Sequence, residues 1–164
     1  MGYRVGIIGP ESTGKSTLAA YLARRYDGVL VKEYARTYVE DLMARGERLE
    51  VNAFTYEDVC TIARHQIEEI ERLAVSGERL AVFDTELIVT KVWFEYAFGR
   101  VPEWLNEAIE KYKMDVYLLT YPDIPWVPDP ARSNGGDAIR QELFERYERE
   151  IQALDIPYYI IMHA

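Results

Sequence analysis

The sequence predicts an α/β fold in which helices cover both faces of a five-stranded parallel sheet. Two features of the chain support this prediction. Short apolar runs, typical of strands buried on both faces, alternate with longer segments of helical periodicity. The 164 residues are enough for one domain with a sizeable core and too few for two. We therefore expect residues 1–164 to form a single three-layer domain.

The N-terminal part of the chain contains two predicted strands, each followed by a helix. The first strand is predicted at YRVGIIG, a nearly continuous apolar run. A helix follows at KSTLAAYLARRYDG, where Gly28 is a stop signal. The second strand is predicted at VLVK, and the second helix follows at EYARTYVEDLMARGE and is expected to end at Gly46. This alternation is typical of the units that build parallel sheets.

The middle of the chain is expected to start with a long helix. Thr55 and Asp58 form a capping-box pattern at the beginning of EDVCTIARHQIEEIERLAVSG, whose apolar residues follow helical spacing. The third strand is predicted at RLAVFDTE, which ends in acidic residues. Two further helices are predicted at LIVTKVWFEYAFG and PEWLNEAIEKYKM, and Pro102 lies near the first turn of the second one.

The C-terminal part contains two more strands, with a loop and a helix between them. The fourth strand is predicted at DVYLLT and the fifth at IPYYIIM. The intervening segment YPDIPWVPDPARSNGG is rich in proline and glycine, which predicts a loop. The last helix is predicted at DAIRQELFERYEREIQAL. With this helix, the predicted sheet has helices to cover both of its faces.

The composition of the chain limits which kinds of partner we expect the protein to bind. The formal net charge of −9 argues against a general nucleic-acid surface, because such surfaces neutralise phosphates with Lys and Arg. The single cysteine, Cys60, excludes an internal disulfide and is expected in the core. No apolar run reaches the length of a membrane span, and the N-terminus runs directly into a strand. We expect a cytoplasmic protein without a nucleic-acid or membrane partner, and self-association remains open.

The segment GPESTGKST predicts a phosphate-binding loop. Gly9, Gly14, Lys15 and Ser16 fit the pattern G-x-x-x-x-G-K-[ST] between a predicted strand and a predicted helix. We expect Lys15 to reach the β- and γ-phosphates of a nucleoside triphosphate and Ser16 to hold Mg²⁺. The alternative is a tight turn without a ligand. The candidate nucleotide-binding residues are Gly9, Glu11, Ser12, Thr13, Gly14, Lys15, Ser16 and Thr17.

Two acidic residues follow predicted strands, where ligands of parallel sheets bind. Glu33 comes directly after VLVK and could take a proton from an acceptor hydroxyl, or it could serve only the dipole of the next helix. Arg36 could contact the acceptor or a phosphate, or it could be a surface residue. Asp84 ends an apolar strand and is the candidate Mg²⁺ acid. Glu86 is a weaker candidate, and its role could be limited to starting the next helix.

A predicted lid covers residues 126–142. Arg132 and Arg140 in this segment could close over the phosphates and stabilise the charge that develops during transfer. An ordinary exposed loop is the alternative. Trp126 lies in the proline-rich part and could stack on a flat base or hold a cationic ring.

Three further aromatic or imidazole side chains give weaker indications of a functional role. Trp93 follows the third strand on a predicted helix, where this spacing is more typical of a core residue than of a ligand contact. His65 and His163 have no metal-ligand spacing, and we assign neither of them a function.

The rest of the sequence limits which class of nucleotide-binding protein the phosphate loop belongs to. The chain lacks the Asn-Lys-x-Asp signature that a GTPase uses for guanine, and it is short for a motor ATPase. A small-molecule kinase needs a compact core, an acid near the acceptor and a mobile lid, and the sequence has a candidate for each. A non-catalytic module that senses ATP is the alternative from another class.

Four segments carry a resemblance to a known family: GPESTGKSTLA, KEYARTYVE, FDTELIVTKVWFEYAFG and LLTYPDIPWVPDPARSN. Together they are similar to the ribosylnicotinamide kinase domain of the NadR family. The resemblance runs over nearly the whole chain and implies the fold of a P-loop kinase. It implies ATP- and Mg²⁺-dependent phosphorylation of the ribose 5′-hydroxyl of nicotinamide riboside, which gives nicotinamide mononucleotide. A kinase of another nucleoside is the nearest alternative.

The resemblance also implies roles for individual residues. Lys15 and Ser16 would bind ATP and Mg²⁺, and Arg132 and Arg140 would act in the lid. Either Glu33 or Asp84 would be the general base. The residues expected to surround the acceptor are Glu33, Tyr34, Arg36, Asp84, Trp93, Asp123 and Trp126.

Overall fold

The computed structural model describes residues 2–10, 13–44, 54–122 and 137–162. The strands are β1 (Tyr3–Ile8), β2 (Val29–Val31), β3 (Leu80–Asp84), β4 (Val116–Thr120) and β5 (Tyr158–Ile161). The helices are α1 (Lys15–Arg25), α2 (Tyr34–Ala44), α3 (Tyr56–Ala74), α4 (Leu87–Phe98), α5 (Glu103–Lys111) and α6 (Asp137–Ala153). The order of strands and helices is the one predicted, and the elements end within a few residues of the predicted bounds. The expected end of the second helix, Gly46, lies outside the described residues.

The five strands form one parallel sheet in the order β2-β3-β1-β4-β5. Strand β1 is central, and Ile7 pairs with Asp84 of β3 while Ile8 pairs with Leu119 of β4. The chain first moves from β1 to the β2 edge and later crosses to β4 on the other side. The resulting switch point lies beside β1, where ligands bind in such sheets. The predicted α/β fold is confirmed.

Alternate residues of the central strands pack against different helices. Ile7 and Val82 contact Ala19 and Ala23 of α1 on one face of the sheet. On the other face, Ile8, Phe83 and Leu119 join a larger apolar cluster with α3, α4, α5 and α6. Both faces are therefore covered, as the apolar runs predict. Cys60 is buried in the larger cluster, which confirms its expected place in the core.

Helix ends near the sheet are fixed by local capping. The predicted capping box of α3 is confirmed, because the Asp58 backbone N–H donates to Thr55 Oγ1 at 3.1 Å and the Thr55 N–H donates to Asp58 Oδ2 at 2.8 Å. Pro102 occupies the N-cap position of α5 without a side-chain bond, and Gly99 ends α4 with a left-handed φ of 68°. These residues set where α3 and α5 begin and where α4 ends.

Within the described ranges, no helix is both long and apolar enough to cross a bilayer.

Candidate functional site

Two glycines occupy positions in the predicted phosphate loop where a side chain would clash or strain the backbone. A Cβ on Gly9 would lie 2.0 Å from Thr120 Oγ1 and 2.8 Å from the Thr120 carbonyl oxygen, so only glycine fits there. Gly14 adopts a left-handed conformation, with a φ of 82°, as the N-cap of α1. The first glycine of the motif therefore allows the loop to lie close to β4, and the second allows the chain to turn into α1.

Side chains inside the loop hold it in a compact form. Thr13 Oγ1 donates to the Pro10 carbonyl at 2.7 Å and lies 2.6 Å from Thr120 Oγ1. The Lys15 ammonium group donates to the same Pro10 carbonyl at 2.9 Å, and Lys15 is 6% exposed. The loop thus places a buried cation at the N-terminus of α1, where the helix dipole also favours an anion. Thr17 is exposed on the first turn of α1, and Glu11 and Ser12 lie outside the described residues.

Asp84 and Ser16 meet at the carboxyl end of β3. The Ser16 hydroxyl donates to Asp84 Oδ2 at 2.6 Å, and Asp84 is 5% exposed. Its other oxygen, Oδ1, is buried without a hydrogen-bond partner among the described residues. A hydroxyl and a carboxylate beside a phosphate site are ligands that Mg²⁺ uses when substrate phosphates complete its shell. The two residues therefore fit the predicted Mg²⁺ site. No cluster of three or more His, Cys, Asp or Glu side chains suited to a metal is found in the part of the chain that the structure describes.

Glu86 is a buried acid two residues beyond Asp84. It is 3% exposed, and its side chain caps α4 by accepting from the Ile88 N–H at 2.9 Å. Burial raises the pKa of Glu86 to about 7, although hydrogen bonds from Ile88 and Tyr117 oppose the shift. The Tyr117 ring lies against β1, where a Cβ on Gly6 would be 2.8 Å from it. Glu86 does start the next helix, as the sequence allows, and it is also bonded by Tyr117 of β4, which β1 separates from β3.

A cavity of about 350 Å³ opens beside these acids, and we call it the strand-end cavity. It lies where β2 and β3 end and where α2 begins, and α3 forms its other wall. This volume suits a small molecule. The lining residues are Leu30, Val31, Lys32, Tyr34, Thr37, His65, Gln66, Glu69, Ile70, Phe83, Thr85 and Glu86.

One wall of the strand-end cavity is aromatic and polar. The rings of Tyr34 and His65 stack with centroids 3.5 Å apart and an interplanar angle of 16°. Gln66 lies next to them, and its Oε1 accepts from Thr90 Oγ1 at 2.6 Å. His65 also lies 3.8 Å from Glu69, the Nε2 to Oε1 distance. Tyr34 was predicted as an acceptor contact, whereas the sequence assigned no role to His65, Gln66 or Thr85. Helical spacing alone could only group His65 with Glu69 on one face of α3.

The remaining predicted residues lie in different surroundings. Glu33 is half-buried between β2 and α2, directly between the cavity residues Lys32 and Tyr34, and Arg36 is half-buried in the first turn of α2. Neither of them lines the strand-end cavity as described.

Trp93 packs against the large apolar core cluster. It makes an edge-to-face contact with Phe54, with ring centroids 5.0 Å apart. It lies outside the described lining of the strand-end cavity, which favours the core interpretation.

Arg140 was expected in a segment that swings. It instead belongs to helix α6 and is 2% exposed, because this helix packs onto the core. Asp123, Trp126 and Arg132 lie outside the described residues.

Solved structures give a first comparison with known proteins. The NadR protein in complex with NR has a TM-score of 0.77 and 24% identity, and the match covers 97% of this chain and 43% of that chain. The NadR protein in complex with NAD and AMP-PNP gives a TM-score of 0.77 at 23% identity and covers 97% of this chain and 44% of that chain. At these identities the similarity shows the fold.

Sequence comparisons agree with the motifs. The chain is 31% identical over 138 residues to the trifunctional NAD biosynthesis/regulator protein NadR of Escherichia coli, in a match that covers 84% of this chain and 33% of the relative. It thus spans about a third of the length of the curated relatives it matches. The resemblance to NadR is confirmed. A family model described as an AAA domain matches residues 4–164. With its strand, phosphate loop and helix in the order described, the chain belongs to this AAA domain family.

Proposed function

We propose that the chain is an ATP-dependent kinase that phosphorylates the ribose 5′-hydroxyl of nicotinamide riboside to give nicotinamide mononucleotide, a step of NAD salvage. One observation carries the proposal. Asp84, which bonds Ser16 of the phosphate loop, is followed directly by Thr85 and Glu86, which line the strand-end cavity. A donor site and a small-molecule site therefore adjoin at consecutive residues. Such proximity is what transfer between two bound reactants requires.

The relatives support this choice of reaction. The Escherichia coli relative is named for NAD biosynthesis, and solved NadR structures contain NR in one case and the ATP analogue AMP-PNP in another. NR is the abbreviation of nicotinamide riboside, and AMP-PNP stands in for the phosphate donor. A phosphotransferase that takes a nucleoside and ATP is consistent with both ligands and with the phosphate loop described above.

The chemistry of the strand-end cavity also supports a cationic nucleoside. Nicotinamide riboside carries a positively charged pyridinium ring. Glu69 and Glu86 place two carboxyl groups around the cavity, and the Tyr34 ring offers an aromatic face. Aromatic faces attract cations, and carboxylates balance their charge. A flat cationic ring is therefore suited to this wall.

The proposed transfer assigns each residue a task. Lys15 holds the β- and γ-phosphates, and the backbone of the phosphate loop surrounds them. Ser16 and Asp84 would hold Mg²⁺, which neutralises charge on the phosphate oxygens when it is bound. The 5′-oxygen of the riboside bonds to the γ-phosphorus while the bond from phosphorus to the β,γ-bridging oxygen breaks, and ADP leaves.

A base must accept the proton of the 5′-hydroxyl. We assign this task to Glu33, because Asp84 already bonds Ser16 and would be committed to the metal. Glu33 lies between two residues of the cavity lining, Lys32 and Tyr34. Arg132, in the predicted lid over residues 126–142, would stabilise the charge that develops during transfer, and Arg140 would add to this from its buried position on α6.

The test is to incubate the protein with Mg-ATP and separate nucleosides, including nicotinamide riboside, adenosine and cytidine, and to measure product masses. We expect nicotinamide mononucleotide, and we expect it to disappear with Lys15→Ala. Lys113→Ala is the matched control, because Lys113 is exposed and pairs with Glu110 on the surface. Phosphate on adenosine or cytidine alone would keep the kinase and overturn the proposed acceptor. ATP binding with no phosphorylated nucleoside would favour the sensor module instead.

A further inference from the structure

Thr85 combines three features of backbone conformation, burial and position. Its backbone φ is 71°, in the left-handed region that β-branched residues rarely enter. Its hydroxyl oxygen is buried without a hydrogen-bond partner among the described residues, and Thr85 is 8% exposed. It also lines the strand-end cavity. Strain, an unsatisfied polar group and a cavity meet at a single side chain.

The turn itself does not require threonine. The Thr85 N–H donates to the Ile7 carbonyl at 2.9 Å and so fixes the turn between β3 and α4. Any residue except proline can make this backbone bond, and glycine would adopt the conformation without strain. The other two non-glycine residues with left-handed φ are Asp27 and Asp155, among the described residues. Aspartate tolerates this conformation better than a β-branched residue does. The backbone therefore does not explain why the side chain is threonine.

The buried hydroxyl group points to a ligand. A buried polar atom without a partner destabilises the folded protein, so such atoms are rare unless a ligand or water satisfies them. Thr85 follows Asp84, the metal-site acid, and precedes Glu86. A group bound by the Thr85 hydroxyl would therefore lie next in sequence to the acid that bonds Ser16 of the phosphate loop, where the cavity adjoins the phosphate site.

We infer that the Thr85 hydroxyl binds a hydroxyl group of the acceptor's sugar and orients the sugar toward the transferred phosphate. The inference rests on the proposed function and names the contact that holds the riboside at its reacting end. A threonine hydroxyl donates one hydrogen bond and accepts others, which matches a sugar hydroxyl. The strained turn keeps this side chain in the lining of the cavity, where glycine would leave the sugar without the bond.

The test uses three variants of Thr85 and nicotinamide riboside as the acceptor. Thr85→Val keeps the shape and removes the hydroxyl group, Thr85→Ser keeps the hydroxyl group, and Thr85→Gly relieves the strain. The control is Thr61→Val on α3, where the Thr61 hydroxyl donates to the Glu57 carbonyl on the surface. The readouts are kcat and KM for each substrate, calorimetric binding of nicotinamide riboside, and the midpoint of thermal unfolding.

The expected pattern separates binding from a structural role. Loss of the hydroxyl group in Thr85→Val should lower kcat/KM for the riboside by about 10- to 100-fold and weaken riboside binding similarly, since the sugar hydroxyl is left unpaired. The KM for ATP should stay unchanged, and Thr85→Ser should retain activity within roughly 3-fold. Thr85→Gly should lose activity while its unfolding midpoint rises by roughly 2–5 °C, because the strain is removed.

Other results would overturn the inference. If Thr85→Val keeps the wild-type kcat/KM for the riboside, the hydroxyl group makes no contact with the acceptor. If Thr85→Val and Thr85→Gly both lower the unfolding midpoint and raise the KM for ATP and riboside equally, the residue is structural. If Thr85→Val does not fold, Thr85→Ser and Thr85→Gly still compare a variant that has the hydroxyl group with one that lacks it. If the wild-type protein itself makes no nicotinamide mononucleotide, the proposed function fails, and the inference fails with it.

Discussion

The phosphate loop and the strand-end cavity are built in different ways. The phosphate loop, residues 9–17, is a continuous stretch whose shape depends on Gly9, Gly14 and the bonds of Thr13 and Lys15 to Pro10. The strand-end cavity instead takes its lining from β2, α2, α3 and the end of β3. A continuous stretch leaves a readable motif, because each of its residues has a fixed neighbour in the sequence. A cavity built from distant elements leaves none.

The two regions also differ in how well their polar groups are satisfied. Inside the phosphate loop, Thr13 and Lys15 are buried and hydrogen-bonded to the Pro10 carbonyl, and Thr13 also bonds the buried Thr120 at the end of β4. In the strand-end cavity, the buried Thr85 hydroxyl lacks a partner among the described residues, and Glu86 is a buried acid. The described side chains of the loop already have partners, whereas the cavity has polar groups that a ligand would satisfy. Substitutions in the loop should therefore affect the fold and the donor, and substitutions in the cavity should affect the acceptor.

The largest effect is expected for Gly9→Ala. A Cβ there would overlap Thr120 Oγ1 at 2.0 Å and approach its carbonyl oxygen at 2.8 Å, so the phosphate loop must move away from β4. We expect the free energy of unfolding to fall by about 3 kcal/mol and ATP binding to be lost. Urea denaturation and calorimetry with ATP measure the two effects.

Gly77→Ala is the control for this prediction. Gly77 has a φ of 81° with no atom within 4 Å of an added Cβ, so this substitution should cost only about 1 kcal/mol through backbone strain. Equal destabilisation by the two variants would contradict the idea that contact with β4 shapes the phosphate loop.

The next largest effect is expected for Asp84→Asn, at the junction of the two regions. The amide keeps the shape and removes the charge beside Ser16, so kcat should fall on the order of 10²- to 10³-fold. The Mg²⁺ concentration required for half-maximal rate should rise, while binding of ATP without Mg²⁺ should be unchanged. A magnesium titration of the rate tests this. Asp27→Asn, an exposed aspartate in a left-handed turn, is the matched control. An unchanged magnesium requirement would argue against Asp84 as the metal ligand.

A smaller and more selective effect is expected for Tyr34→Leu in the strand-end cavity. Loss of the aromatic face should raise the KM for nicotinamide riboside by about 3- to 10-fold and leave the KM for ATP unchanged. Steady-state kinetics with each substrate varied in turn gives both constants. Tyr21→Leu, at an exposed position on α1, is the control. Equal changes in the two KM values would show that the cavity and the phosphate loop do not divide the substrates as proposed.

The smallest effect is expected for Asp58→Asn in the capping box of α3, the helix that carries His65 and Gln66. Burial alone would raise the Asp58 pKa, but hydrogen bonds from Thr55 and Tyr38 outweigh it and lower the pKa below 3.8. The ionised carboxylate therefore stabilises the fold above pH 3.8, and this contribution is lost as the pH falls through the lowered pKa.

Asp58→Asn should accordingly cost about 1 kcal/mol at neutral pH, and the difference from wild type should shrink in acid. Urea denaturation at neutral pH and at about pH 3 measures both values. Asp41→Asn, an exposed position on α2, serves as the control and should show no such difference. A difference that persists unchanged in acid would contradict the role of the carboxylate charge.

The sequence predicted most of the fold and the phosphate half of the site. The apolar runs predicted five parallel strands, the capping pattern at Thr55 predicted the start of α3, and the spacing of Gly9, Gly14 and Lys15 predicted the loop. Each of these features depends on residues close together in the chain. The meeting of Ser16 with Asp84 was also predictable, because acids that end strands next to β1 face the same edge of the sheet.

The strand-end cavity was only partly predictable. Tyr34 was expected near the acceptor because a family motif contains it, but His65 was assigned no function and Gln66 and Thr85 were missed. Trp93 had two interpretations that only packing separates, and it lies against the core. Arg140 was expected to swing and is buried on α6. In each case the surroundings come from elements far away in the chain, which periodicity does not identify.

Local physical chemistry thus accounts for the strands, the helix caps and the phosphate loop, since hydrogen bonding and backbone conformation act between near neighbours. Only the tertiary structure decided that α3 faces the ends of β2 and β3, that Tyr117 reaches Glu86 across Gly6, and that the Thr85 hydroxyl is buried without a partner among the described residues. The reason is that burial and charge environment depend on which elements pack together.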